Sequence, residues 1–295
     1  MLGELVTTMT EDRVRLDGFF ACPDSQNSEF ELDASKRLPV DGAVVVHGLS
    51  GNFYKSRLLK HLAHQMLSHG LPTVLANTRG HDYLNSTSRM GRAQTLGAAV
   101  EDVAESKFDL HAWAEFLVHQ GCQRILFVGH SLGAIKSLFA QAHNAHPKVS
   151  ALACLSATRL SEAALLKSKK GETFQKWLDK ARGLVAAGQG EQLLYVDFPF
   201  PTWMSAAAYS KKYGSGESHN WMHFAEQINV PTLCLFGQIE MDENPAFAGM
   251  ESELKTVVSA KPNIQYAIVE SADHFYSARA LAASEKIIEW LTLFD

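Results

Sequence analysis

No apolar run in this 295-residue chain approaches the roughly 18 residues that cross a bilayer, so no membrane span is expected. The N-terminus carries no basic residue before Arg13 and no apolar h-region, so no secretory signal is expected either. Cysteine is scarce and scattered. Cys22, Cys122, Cys154 and Cys234 form neither a zinc spacing nor a disulfide set. They read as small buried hydrophobes, Cys154 and Cys234 within predicted strands, and the expected compartment is the reducing cytoplasm. Basic clusters are missing too: the net charge is −5 and no Lys/Arg stripe tracks a phosphate backbone, so nucleic acid is a poor partner. There is no internal repeat and no low-complexity segment. Asn85-Ser86-Thr87 matches a glycosylation acceptor, which means little without secretion.

What the chain has is apolar material, 46% of its residues, arranged as alternating strand-like and helix-like runs. Arg13 to Cys22 is the best early strand candidate, and a polar stretch follows from Asp24 to Lys36. Ala43 to His47 and Pro72 to Asn77 read as strands buried on both faces, with a helix from Lys55 to His69 between them. Ala98 to His119 reads as one long amphipathic helix, Arg124 to Val128 and Val149 to Leu155 as strands. From Ser156 to about Gln227 the alternation lapses into helix-like pieces (Glu162 to Lys169, Glu172 to Ala187) and an aromatic-rich stretch. It resumes with a strand at Pro231 to Phe236, a helix at Ala246 to Ser259, a strand at Ile264 to Val269 and a helix at Ser277 to Leu293. The expected fold class is therefore α/β: a mostly parallel central sheet with helices on both faces and a helical cap insertion. The expected core comprises residues 1–155 and 228–295, and the cap residues 156–227.

The most informative segment is Gly129-His130-Ser131-Leu132-Gly133. A chain of this length has about a one-in-ten chance of containing G-x-S-x-G by composition. The context is what carries weight. The pentapeptide joins a strand-like run to a helix-like run, where a serine is held on a sharp turn with its hydroxyl projecting and a helix N-terminus behind it. A serine hydroxyl needs a base, and the base an orienting acid. His274 follows the last predicted strand, on the same sheet edge as Ser131, and is the expected base. The acid is expected after the strand ending at Phe236, with Glu240 favoured and Asp242 its main rival; Glu243 is remote. The oxyanion donors are expected to be the backbone amides of Leu132 and of Leu49, in the turn His47-Gly48-Leu49-Ser50-Gly51. The substrate-contacting candidates are His130 beside the serine and the cap aromatics Trp203 and Trp221.

These pieces resemble the α/β-hydrolase superfamily, and within it the capped serine hydrolases grouped with the serine aminopeptidases, monoacylglycerol lipases and related bacterial esterases. The resemblance rests on His47-Gly48, on Thr78-Arg79-Gly80-His81, on the serine pentapeptide, on Pro231-Thr232-Leu233 leading to Gly237, and on Asp273-His274. It runs from about Ala43 to the C-terminus. One departure stands out: most relatives carry Asp where this chain offers Glu240. The resemblance implies hydrolysis of a carboxylic ester through an acyl-serine intermediate, with no metal or organic cofactor. The same triad also serves amide, thioester and carbon–carbon bonds and acyl transfer, and the fold does not choose among them. A ligand-binding module with a vestigial triad is the remaining alternative. The expected partners are a small, partly apolar acyl substrate and at most a second copy of the chain as a homodimer, with no nucleic acid and no membrane.

Two further patterns are read as surface. His61 and His64, and His143 and His146, are i, i+3 pairs on predicted helices without a nearby carboxylate or cysteine, so no metal site is expected. Glu101, Asp102, Glu105, Asp109 and Glu115 are read as the solvated face of the long helix.

Overall fold

The computed structural model describes residues 1–23, 38–89, 92–214 and 216–293. The polar stretch predicted from Asp24 to Lys36 lies outside them. In chain order the core begins with strands β1 (Glu4–Met9), β2 (Arg15–Ala21) and β3 (Gly42–Val46), helix α1 (Arg57–Ser68) and strand β4 (Thr73–Ala76). A small hairpin follows, β5 (Asn85–Arg89) with β6 (Arg92–Leu96), then α2 (Ser106–His119), β7 (Ile125–His130), α3 (Leu132–His143) and β8 (Val149–Leu155). Between β8 and the next core strand lie α4 (Glu162–Leu166), α5 (Gly171–Ala186), a second hairpin β9 (Leu193–Val196) with β10 (Thr202–Ser205), and α6 (Ala206–Tyr213). The chain then returns to the core with β11 (Thr232–Gly237), α7 (Gln238–Glu243), α8 (Met250–Ala260), β12 (Ile264–Val269) and α9 (Ala280–Leu291).

The central sheet has eight strands in the order β1-β2-β4-β3-β7-β8-β11-β12. β1 and β2 are antiparallel additions; the six strands from β4 to β12 are mutually parallel. The parallel strands read as continuous apolar runs because both their faces are covered. In β3, Val44 and Val46 enter one apolar cluster with Trp113 of α2 and Leu138 of α3, whereas Ala43 and Val45 enter the opposite one with Leu62 of α1 and Ile287 of α9. Parallel strands also place every strand's C-terminal end on one edge of the sheet. That edge collects the turns after β3, β4, β7, β8, β11 and β12.

The inserted segment has an apolar core of its own, with Phe174 and Leu178 of α5, Val196 of β9, Met204 of β10 and Tyr209 of α6 at its centre. Leu49 and Leu160 pack against both this cluster and the main core. No helix among the described residues is long and apolar enough to cross a membrane.

Three readings are corrected. Residues 98–102 are not helical; a 3-10 turn at Val103–Glu105 leads into α2, which starts at Ser106. Two of the acids of that stretch do not belong to a solvated face, whereas Glu105 and Glu115 keep exposed side chains. Glu101 and Asp109 are wholly buried, Glu101 between Lys136 and Lys212 and Asp109 against Arg79. Each is buried because a cation distant in sequence meets it, which periodicity along one segment cannot show. Arg79, itself 2% exposed, is clasped by Asp12, Glu105 and Asp109, which ties the turn after β4 to α2 and to the β1–β2 turn. Finally, Cys22 is exposed, while the other three cysteines are buried thiols.

Candidate active site

Ser131 stands between β7 and α3 with φ 55° and ψ −121°, a conformation that costs a non-glycine residue roughly 1–3 kcal/mol. The surroundings hold it there. Its N–H donates to the Leu155 carbonyl at 2.8 Å, and its own carbonyl accepts from Ala134 and Ile135 at 3.0 and 3.3 Å. The two flanking glycines are spatial requirements. A Cβ on Gly129 would sit 2.5 Å from the Gly133 carbonyl oxygen, and one on Gly133 would sit 2.5 Å from the carbonyl oxygens of Val46 and His47.

His274 lies in the turn after β12. Asp273 shapes that turn by accepting from the amides of Phe275 and Ser277 at 3.0 and 2.9 Å. His130 fixes it from below, donating from Nε2 to the His274 carbonyl at 2.7 Å. Thus oriented, His274 places Nε2 3.0 Å from the Ser131 hydroxyl and Nδ1 2.6 Å from Oε2 of Glu240. Glu240 is 3% exposed, on the first turn of α7. Its other oxygen, Oε1, accepts from the Ser156 hydroxyl at 2.6 Å and from the Gly237 amide at 2.7 Å. Three donors thus converge on two oxygens, the arrangement of a carboxylate acting only as acceptor. With Glu240 accepting at Nδ1, His274 carries its proton there and leaves Nε2 free to take one from Ser131. Asp242 and Glu243, later on α7, are exposed and make no such contact.

The turn after β3 sits directly over the serine: a Cβ on Gly48 would lie 3.1 Å from Cβ of Ser131. His47 sets the turn's orientation. The Thr78 amide donates to Nε2 of His47 at 3.1 Å, so Nδ1 carries the ring proton and donates to the Gly48 carbonyl at 2.7 Å. In a trans peptide the N–H opposes the C=O, so the Leu49 amide faces away from His47. Neither the Leu49 nor the Leu132 amide has a hydrogen-bond partner among the described residues.

Both supporting histidines are held neutral. Burial, aided by the neighbouring Lys136 charge, pushes His47 down to about 3; burial, aided by His274, pushes His130 down to about 4. A histidine whose pKa falls on folding stabilises the fold fully above its unfolded value near 6.5 and loses that contribution as pH falls towards the folded value. Each gives up about 1.4 kcal/mol per pH unit in that window. The two rings together should therefore contribute about 3–4 kcal/mol less at pH 5 than at pH 7, and in urea unfolding the loss between those pH values should be about 2 kcal/mol smaller in His130→Gln than in the parent. An equal loss in parent and variant would show that the His130 ring charges freely in the folded protein.

Not every sequence candidate reaches this site. Trp203 is half exposed on the β9–β10 hairpin, where its ring meets that of Tyr195 at a tilt, 5.3 Å between centroids. Trp221 has no exposed surface; its indole donates to the Ala157 carbonyl and its ring fills the main core. A side chain with no free surface packs a core rather than walling a pocket. His130 acts under the His274 turn and is buried. Ser156 was not singled out by the sequence; its only signal is its place after β8, on the same sheet edge. The histidine pairs also rearrange. His146 lies beyond the end of α3 and meets a carboxylate after all, Glu115 of α2, at 2.8 Å, with His111 at 3.9 Å from the same oxygen. The three ligand atoms lie within 4.8 Å of one another. The Lys148 amide donates to Nδ1 of His146, however, which places the ring proton on Nε2, facing Glu115. That tautomer makes a hydrogen bond and offers no lone pair to a metal.

The fold recurs widely among solved structures. An esterase from Pyrococcus furiosus superposes with a TM-score of 0.64 at 15% identity, covering 99% of this chain and 91% of that one. A Butyrivibrio proteoclasticus protein solved with ferulic acid bound gives 0.63 at 16%, covering 96% and 97%. An esterase domain from Rhodothermus marinus gives 0.58 at 17%, covering 99% of each. Among curated proteins none matches this chain. A family model, described as the alpha/beta hydrolase family, matches residues 43–289. With that match spanning most of its length and this sheet beneath it, the chain belongs to the alpha/beta hydrolase family.

Proposed function

We propose that the protein is a serine hydrolase that cleaves a carboxylic ester through an acyl-serine intermediate. The observation that carries this reading is the continuous line from Glu240 Oε2 to His274 Nδ1 (2.6 Å) and from His274 Nε2 to Ser131 Oγ (3.0 Å). A pure binding module has no physical need for all three groups in that order. Esterases among the similar folds support the choice of bond.

In the first half-reaction, His274 Nε2 takes the proton of Ser131 as Oγ attacks the ester carbonyl. Glu240 holds the imidazolium that forms. The carbonyl oxygen gains negative charge in the tetrahedral intermediate and accepts from the Leu132 and Leu49 amides, at the N-terminus of α3. His274 returns the proton to the departing alcohol oxygen, leaving an acyl-serine. Water then repeats the sequence and releases the acid. Residues 156–227 act as the cap in this reading. Leu49 and Leu160, at the junction of cap and core, give the acyl group apolar surroundings, which favours a small, partly apolar ester.

The test is turnover of p-nitrophenyl esters from acetate to octanoate beside the matching anilides and thioesters. Ester turnover with weaker anilide turnover is expected. A preference for the anilide or thioester would move the reading to that bond, and no turnover in a folded protein would favour the binding module.

A further inference from the structure

Resting on that reading, we propose that Lys212 and Lys136 are positioning residues for the Leu49 amide, joined to it by a buried chain of charges and hydrogen bonds that starts in the inserted segment. Lys212 belongs to α6 and is 1% exposed; its ammonium lies 3.7 Å from Glu101. Glu101, wholly buried, is also paired with Lys136 of α3. Lys136, 0% exposed, donates to the Thr78 hydroxyl at 2.8 Å. The Thr78 hydroxyl and amide both face Nε2 of His47, at 3.2 and 3.1 Å. His47 donates from Nδ1 to the Gly48 carbonyl, which shares a peptide plane with the Leu49 amide. The link from Lys212 to Glu101 is a charge pair, and those from Lys136 through Thr78 and His47 to Gly48 are hydrogen bonds.

The charges explain why the chain needs its distant end. Lys136, Lys212 and Glu101 are an odd set, two cations for one buried anion, and Glu101 can serve both only while α6 is seated on the core. Nearby, Lys211 pairs with Asp102 at 2.8 Å and the Ser205 amide donates to the Ala99 carbonyl at 2.7 Å, so the contact between α6 and residues 99–102 is built at several points. Gly80 makes the room that the Glu101 carboxylate occupies: a Cβ there would lie 1.9 Å from it. Without Lys212, Glu101 loses the cation beside its Oε2 and is free to swing, carrying its contact with Lys136 away from Thr78. The pull on Thr78 weakens, His47 gains freedom, and the Gly48–Leu49 peptide is free to rotate. The oxyanion donor is then misplaced while the hydrogen bonds among Ser131, His274 and Glu240 persist.

The experiment uses an ester that the parent protein hydrolyses and an aryl trifluoromethyl ketone, which forms the tetrahedral oxyanion with the serine. Lys212→Met should lower kcat about 10- to 100-fold with KM within about threefold, weaken trifluoromethyl ketone inhibition in parallel, and leave fluorophosphonate able to label Ser131. Thr78→Val, which breaks the chain at its middle with almost no change of shape, should do the same. The double variant should be no worse than either single one, and Lys212→Arg should recover most of the loss. Lys211→Met, which removes the exposed pair of the same contact, should change kcat less than about twofold. Multiplying losses in the double variant, or an unchanged inhibitor constant in Lys212→Met, would overturn the proposal. If Lys212→Met does not fold, Thr78→Val with unchanged kcat and inhibitor constant overturns it equally. Failure of the parent to hydrolyse any ester is a different result and bears on the proposed function alone.

Discussion

Ser131→Ala is expected to lower ester turnover by about 10⁴- to 10⁶-fold, the range in which removing a serine nucleophile leaves only binding and oxyanion contributions. The fold should hardly notice. Alanine keeps the Cβ, so the backbone strain at φ 55° is unchanged, and the substitution removes only the hydrogen bond between the hydroxyl and His274. The stability change should stay within about 1 kcal/mol. Ser131→Gly gives a complementary result: it relieves a positive φ that only glycine adopts freely, so it should be equally inactive and at least as stable as the parent. Turnover retained by either variant in urea-resistant, folded protein would remove Ser131 from the chemistry.

The second large effect separates two acids that sit two residues apart. Glu240→Gln should lower kcat about 10³- to 10⁴-fold, and Asp242→Asn less than about twofold. Glutamine has nearly the shape of glutamate but one acceptor oxygen in place of two, and three donors point at this side chain: His274 Nδ1, the Ser156 hydroxyl and the Gly237 amide. If the amide oxygen faces His274, the NH₂ group confronts the Gly237 N–H. If it faces Gly237, the NH₂ forces the His274 proton onto Nε2, and the ring can no longer accept from Ser131. Either way the charge that steadies the imidazolium is gone. Asp242 is exposed and touches none of these groups. Equal losses in the two variants, or a larger loss at Asp242, would show that Glu240 is not the orienting acid.

Much of this arrangement is written locally. The pentapeptide around Ser131 announces its own turn, because glycine is needed at each flank and a buried strand and helix adjoin it. His274 follows from chain order and from a strand that ends just before it. Glu240 is legible by its distance from Gly237, even though the chain departs there from the aspartate of its relatives. What was not legible depends on partners brought together by folding. Glu101 and Asp109 look like solvent-facing acids until Lys136, Lys212 and Arg79 arrive from other elements. The two hairpins, β5–β6 and β9–β10, are short and pair only with themselves, so no long apolar run marks them. Trp203 and Trp221 look alike in sequence, yet one faces outward on a hairpin and the other fills the core. Ser156 has no motif at all: its role comes from standing at the end of β8 beside Glu240.

The central claim is that Ser131 is an activated nucleophile. Intact-protein mass spectrometry after exposure to a fluorophosphonate tests it most directly, with Ser131→Ala and Glu240→Gln alongside. The account predicts one adduct on the parent protein, none on Ser131→Ala, and slow labelling of Glu240→Gln. A folded parent protein that takes no adduct, or an adduct that persists in Ser131→Ala, would contradict it.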